Sequence, residues 1–248
     1  MALEKVRATA CASMASGEHW PRRLAGLLGD VGATWQESAE VCADLAWRAR
    51  AEGHSALLLL EPDQVSRADA DPVTARTYRH VYAGTLRYDF RCRSIETLFH
   101  NMPGVDHLDC YSRALWAFAL LGQSRTAGVA LEQRVLDEAG DHPKSLHVLL
   151  HGLWLGHALP GREELMLQVL SRPPFAARTD PIALFREASV LRRLGRYRAA
   201  LASINRALDL LPPGDPAVHT DFVRERALVC AADDLARISG HGAEGGPA

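Results

Sequence analysis

Five aspartates recur along the chain at Asp71, Asp106, Asp141, Asp180 and Asp215, separated by 35, 35, 39 and 35 residues. Three stand directly before proline, in Asp71-Pro72, Asp180-Pro181 and Asp215-Pro216. In Asp141-His142-Pro143 the proline follows one residue later. An aspartate carboxylate accepts a bond from a free first-turn amide, and proline is tolerated at the first helical position. The series therefore predicts regularly repeated helix starts. The extra length of the third interval falls in the connection 171–180. A repeat of this size points to stacked helical hairpins.

Composition narrows the choice further. The chain holds 39 Ala and 35 Leu against 15 Val and 4 Ile. Ala and Leu favour helix and β-branched residues favour strands, so an ordinary α/β or all-β core is excluded. With 248 residues the chain suits one large domain or an extended array. A formal net charge of -2 argues against a dominant electrostatic role on nucleic acid or membrane. Cysteines at 11, 42, 92, 110 and 230 are odd in number and form no Cys-x-x-Cys pair. That scatter suits reduced, helix-buried thiols in a cytoplasmic protein. Glu4, Lys5 and Arg7 interrupt the N-terminus, so no signal peptide is expected. No apolar run reaches the ~18 residues of a membrane span.

The best-formed unit begins at Pro181. Leu184, Ala188, Leu191 and Leu194 make an apolar stripe on one helix face. Gly195-Arg196 breaks the helix. A second helix carries Tyr197, Ala200, Leu201, Ile204, Ala207 and Leu208 inward, and Pro212-Pro213-Gly214 ends it. This stretch, 181–214, resembles a tetratricopeptide repeat. Leu184 stands at the first large position, Ala188 at the small one and Leu191 at the next large one. Gly195 and Tyr197 match the inter-helix turn, and Ala200, Ile204, Ala207 and Pro212 match the second helix and its terminal proline. Small residues there let helix backbones approach while large ones fill the holes.

Earlier pairs follow the same plan more loosely. One starts at Leu108, with Tyr111, Ala114, Leu115 and Phe118, a turn at Gly122, then Ala127, Leu131 and Leu136. Another runs from Pro143 to about Leu159, turns at Pro160-Gly161 and returns over 162–170. A pair from Pro72 breaks near Tyr88-Asp89 and stops at Pro103-Gly104. A first pair covers 34–67, turning at Gly53, with Pro62 inside its second helix. A capping helix spans about 216–238, its outward face carrying Arg224, Asp233, Asp234 and Arg237. The resemblance implies an all-α, right-handed α-solenoid. The division is an N-terminal segment 1–33, partly disordered with a short helix at 19–30, a repeat domain over 34–240 and a disordered tail over 241–248.

No catalytic or cofactor motif emerges. Gly240, Gly242 and Gly245 satisfy G-x-G-x-x-G but lack a preceding strand. Gly53-His54-Ser55 begins like a nucleophile elbow, yet Leu57 replaces the required glycine. His147 and His151 share a helix face, with His157 nearby, which is the reach of a weak metal site. A packing role competes with that reading. Arg186, Arg192, Arg193, Arg196 and Arg198 give the span 186–198 a local charge of +4 against Glu187. They mark a solvated helix end or a site for carboxylate or phosphate.

The resemblance further implies that first helices line a concave groove. The corresponding positions here are Trp47, Tyr78, Tyr82, Ser112, Trp116, His151, Leu155, Phe185, Ser189 and Arg192, with Arg193 beside them. Aromatic residues of this kind anchor interfaces. The lysine and asparagine pattern of the family's carboxylate clamp is absent. The reading is a non-enzymatic adaptor or scaffold that binds a protein or peptide and needs no cofactor, nucleic acid or membrane. The alternatives are a helical enzyme handling a small molecule or metal at His147 and His151, and a self-associating scaffold.

Overall fold

The computed structural model describes residues 2–17, 19–52, 71–101, 108–212 and 216–243. Among them are thirteen helices and no strand, so the chain is all-α. In order these are α1 (Ala2–Ala15), α2 (Trp20–Asp30), α3 (Trp35–Ala51), α4 (Pro72–Tyr88), α5 (Cys92–Asn101), α6 (Cys110–Leu121) and α7 (Ala127–Glu138). There follow α8 (Pro143–Leu155), α9 (Arg162–Leu170), α10 (Pro173–Ala176), α11 (Pro181–Arg193), α12 (Tyr197–Leu210) and α13 (Pro216–Ala243). Among the described residues, no helix is long and apolar enough to cross a membrane. The turn at Gly53, the Ser55 motif, Pro62, Asp106, Pro103-Gly104, Asp215 and the end of the tail lie outside the described residues.

Helix starts follow the predicted chemistry with two shifts. Asp71 accepts from the Val73 and Thr74 amides, both at 3.1 Å, and Asp180 accepts from Ala183 N at 3.0 Å. At the next pair the cap is Asp109, whose Oδ1 accepts from Ser112 N at 2.9 Å. At the following start Asp141 gives way to its neighbour: His142 Nδ1 accepts from Ser145 N at 3.3 Å. A cap needs an acceptor one residue before the helix. His142 stands there, immediately before Pro143.

The chain divides into two compact units, Met1–Gly156 and His157–Ala248. The boundary falls between α8 and α9, which the sequence pattern reads as one pair. In the first unit, α1 and α2 are both helical, where the sequence predicts a partly disordered segment with one short helix at 19–30. Val6, Ala10 and Met14 recur every four residues along α1 and are buried. So are Trp20, Leu24 and Leu28 of α2. They join Val41, Leu45, Tyr78, Val81 and Tyr82 in one core. Alanine and charged residues between those anchors hide the stripe from a periodicity reading.

Helix α6 is the middle of this unit, packing on α5, α7 and α8. Its approach to α8 is close enough that a Cβ at Gly152 would lie 2.9 Å from Phe118 Cα. Only glycine leaves room for that backbone.

A buried polar chain ties α3, α4 and α6. His80 Nε2 lies 2.9 Å from Asp109 Oδ1, and Ser38 Oγ lies 3.2 Å from His80 Nδ1. Asp109 Oδ2 also accepts from Ser112 Oγ at 2.7 Å. Ionised Asp109 only accepts, so Nε2 carries the hydrogen between them. Burial pushes the Cys42 thiol up to about 12, which keeps it an S–H beside Ser38. This serine, histidine and aspartate resemble a hydrolytic set in composition, but Ser38, His80 and Ser112 have no exposure to solvent. They serve packing and satisfaction of buried polar atoms.

In the second unit α11 and α12 pair across a turn at Gly195, whose φ of 70° favours glycine. Leu184, Ala188, Ile204 and Ala207 pack with Phe222 of α13, and Leu191 and Ala200 with Val229. The last helix reaches Ala243, beyond the expected end at 238. Of the cysteines, Cys42, Cys92 and Cys110 are buried, but Cys230 is exposed, against expectation.

Burial alone would raise the Asp109 carboxyl. The His80 imidazole and the hydrogen bonds from His80 and Ser112 outweigh it and hold the group well below the usual carboxylate range. A lowered folded-state pKa adds stability above the unfolded value, and this is lost as pH falls toward the folded one. Asp109→Ala should therefore lower unfolding free energy by about 2–4 kcal/mol near pH 7, combining a lost cap and a broken buried bond. Urea unfolding should show that gap narrowing as pH falls below the ordinary value near 3.8.

Candidate functional site

The residues expected to line an open aromatic groove are largely inside the protein. Tyr78 and Tyr82 stack at 5.6 Å, and the His19 ring lies 6.0 Å from Tyr78. Both tyrosines are buried in the core shared with α1 and α2, so the chain's own N-terminal helices cover that face. Ser112 is buried in the Asp109 network. Trp116 is half-buried and stacks on Phe99 at 5.7 Å. Trp47 is 37% exposed and meets Tyr88 edge-on at 5.1 Å.

His151 is buried, with Arg87 Nη1 3.2 Å from its Nδ1. Arginine only donates, so Nδ1 is the acceptor there. A guanidinium at that nitrogen repels a cation. Phe118 packs at 4.8 Å from the ring. His147 is half-buried and His157 is exposed. Among the described residues no group of three His, Cys, Asp or Glu side chains is placed to hold a metal ion. His151 is a packing residue in this structure.

In the second unit the expected contacts are also met internally. Phe185 is half-buried and stacks on Phe222 at 4.8 Å, and Ser189 is buried. Glu225 accepts from Arg192 Nε at 2.7 Å and faces its Nη2 at 3.4 Å. Burial lowers Arg193, and Glu163 opposes that effect. Arg186 is buried, while Arg196 and Arg198 are exposed. Arg192 and Arg193 thus face acids that lie distant in sequence.

What opens instead is a cleft of about 280 Å³ in the second unit. Its walls are Leu167 and Leu170 of α9, Phe175 of α10 and Leu184 of α11. The sequence cause is the long 39-residue interval. Four-residue α10, starting at Pro173, occupies the extra connection. Its Phe175 is 5% exposed and anchors the segment. The chain then turns through Arg178, whose φ of 54° is uncommon for a residue with a Cβ. Arg178 Nη1 donates to Glu187 Oε1 at 2.7 Å and Nη2 to Ser203 Oγ at 3.1 Å. Ser203 Oγ donates to Glu187 Oε2 at 2.7 Å, which closes the triangle. These bonds hold the strained turn and set two opposite charges at an apolar mouth. Asp180, also lining the cleft, caps α11.

The sequence reading placed the inserted length but not the cleft. Leu184 was placed on the apolar stripe of its helix, and only the packing of α9, α10 and α11 leaves space beside it. Comparison with protein-family models, with curated proteins and with solved structures returned no match.

Because Trp116 and Phe185 are packing residues, their truncation should register first as lost stability. Trp116→Ala and Phe185→Ala should each lower the unfolding free energy by about 2 kcal/mol or more. Urea denaturation of the purified variants checks this. Unchanged midpoints would return both rings to the surface.

Proposed function

We propose that this chain is a non-enzymatic adaptor or scaffold that binds a protein or peptide partner. In the same reading its helix pairs stack as a right-handed, tetratricopeptide-like α-solenoid. The cleft at α9, α10 and α11 carries the proposal. Its apolar walls and charged mouth have the make-up of a site that accepts one anchoring side chain. The partner therefore engages the cleft and not the aromatic face read from the sequence.

A photo-crosslinking amino acid at exposed Ala176, on the cleft's rim, tests this in the native cells. Placement at exposed Ala130 of α7 is the control. A discrete adduct from position 176 alone supports the reading. No adduct, or the same adducts from both positions, overturns it.

Self-association is a second reading favoured by α13. Leu228, Leu235 and Ile238 are 44%, 65% and 71% exposed on this helix. Leu228 and Leu235 are seven apart, as are Ala231 and Ile238, which is the spacing of a coiled-coil seam. Light scattering across concentration should then show a dimer that Leu235→Glu abolishes. A strict monomer removes this reading.

A further inference from the structure

We propose that the cleft at α9, α10 and α11 is a receptor for a peptide N-terminus that begins with a bulky apolar residue. This deepens, and rests on, the reading of the cleft as the partner site. Its volume of about 280 Å³ suits one large side chain better than a folded surface or an extended ligand. Leu167, Leu170, Phe175 and Leu184 offer that side chain an apolar environment.

Charge selects what stands beside it. Arg178, Asp180 and Glu187 all line the cleft and sum to a net negative charge. The last turn of α9, through Leu167, Leu170 and Ser171, also lines it, and a helix C-terminus carries partial negative charge. The first turn of α11 is the positive counterweight, and Asp180 already answers it as the cap. The remaining preference is for a cation.

The acid is also the inner member of its ion pair. The Glu187 side chain is 17% exposed, whereas that of Arg178 is 49% exposed. By swinging outward the half-exposed guanidinium gives up its bonds to Glu187 and Ser203 and regains water, and the incoming ammonium replaces the bond to Glu187. Its departure frees Glu187 Oε1 to accept from an incoming ammonium, while Ser203 continues to hold Oε2. A cation directly beside an apolar side chain is the chemistry of a free N-terminal residue. A lysine ammonium lies instead at the far end of its own stem, which would have to fill the apolar space.

The test is a titration of the full chain with three dipeptide amides, followed by amide chemical shifts and calorimetry. The probes are Phe-Ser-amide, its N-acetyl form and Ser-Ser-amide. Phe-Ser-amide should perturb the amides of residues 167–187. Acetylation and the change to serine should each weaken binding by about tenfold or more, the scale of a lost charge-assisted bond or a lost apolar anchor. Free phenylalanine is a fourth arm, and tighter binding of it than of the amide would assign the site to an amino acid and overturn the peptide proposal. Glu187→Gln should erase the difference between the free and acetylated probes, with thermal unfolding confirming that the variant is folded. Equal binding of the free and acetylated forms by the wild type, or no perturbation at 167–187, overturns the proposal. A crosslink from position 176 together with such a failure would leave a partner at the cleft that is held by other chemistry.

Discussion

The carboxylate of Asp109 does three jobs at one point of the first unit. It begins α6 as its cap, receives His80 from α4 and fixes the hydroxyl of Ser112. Through His80 it reaches Ser38 of α3. Ser38, His80 and Ser112 are buried and Asp109 is half-buried, so a bond removed here would strand a partner that water scarcely reaches. The helices that meet here owe their relative placement to this network as well as to apolar packing. Apolar contact is non-directional, whereas a chain of hydrogen bonds admits only a narrow set of helix placements.

Close approach is the second constraint, and it explains why small residues recur. Gly152 admits the backbone of α6 against α8. In the second unit Ala188, Ala200 and Ala207 lie fully buried among larger neighbours. Packing is looser where α10 is inserted between α9 and α11. Phe175 packs down while the chain around Arg178 turns back, and the walls do not close. The cleft follows from the long connection between α9 and α11 and from a turn held by Glu187 and Ser203.

Much of the local structure was legible in the residues. Asp71-Pro72 and Asp180-Pro181 start helices by cap chemistry that operates within four residues. Gly161 and Gly195 mark turns at which φ is positive. The span of α9 was readable from Pro160-Gly161 before it and Pro173-Pro174 after it. The first helix was not, because Val6, Ala10 and Met14 give a thin stripe whose value depends on what packs over it. The burial of Tyr78 and Tyr82 was not legible for the same reason. Tyr78 and Tyr82 carry no local sign that α2 covers them, and nothing near Arg192 in sequence announces Glu225.

The sequence by itself determined a helical chain, the starts of helices such as those at Asp71 and Asp180, and the long connection that holds α10. These are short-range matters, governed by propensity, caps and turn chemistry. Only the tertiary structure decided which aromatic residues are core, which arginines are already paired and where an apolar space remains open. Burial and ion pairing join residues that are distant along the chain, as Trp20 joins Tyr82 and Arg192 joins Glu225. Periodicity along one helix shows that a face is apolar. Only the packing of the other helices decides whether that face is covered by the chain itself or left open to a partner.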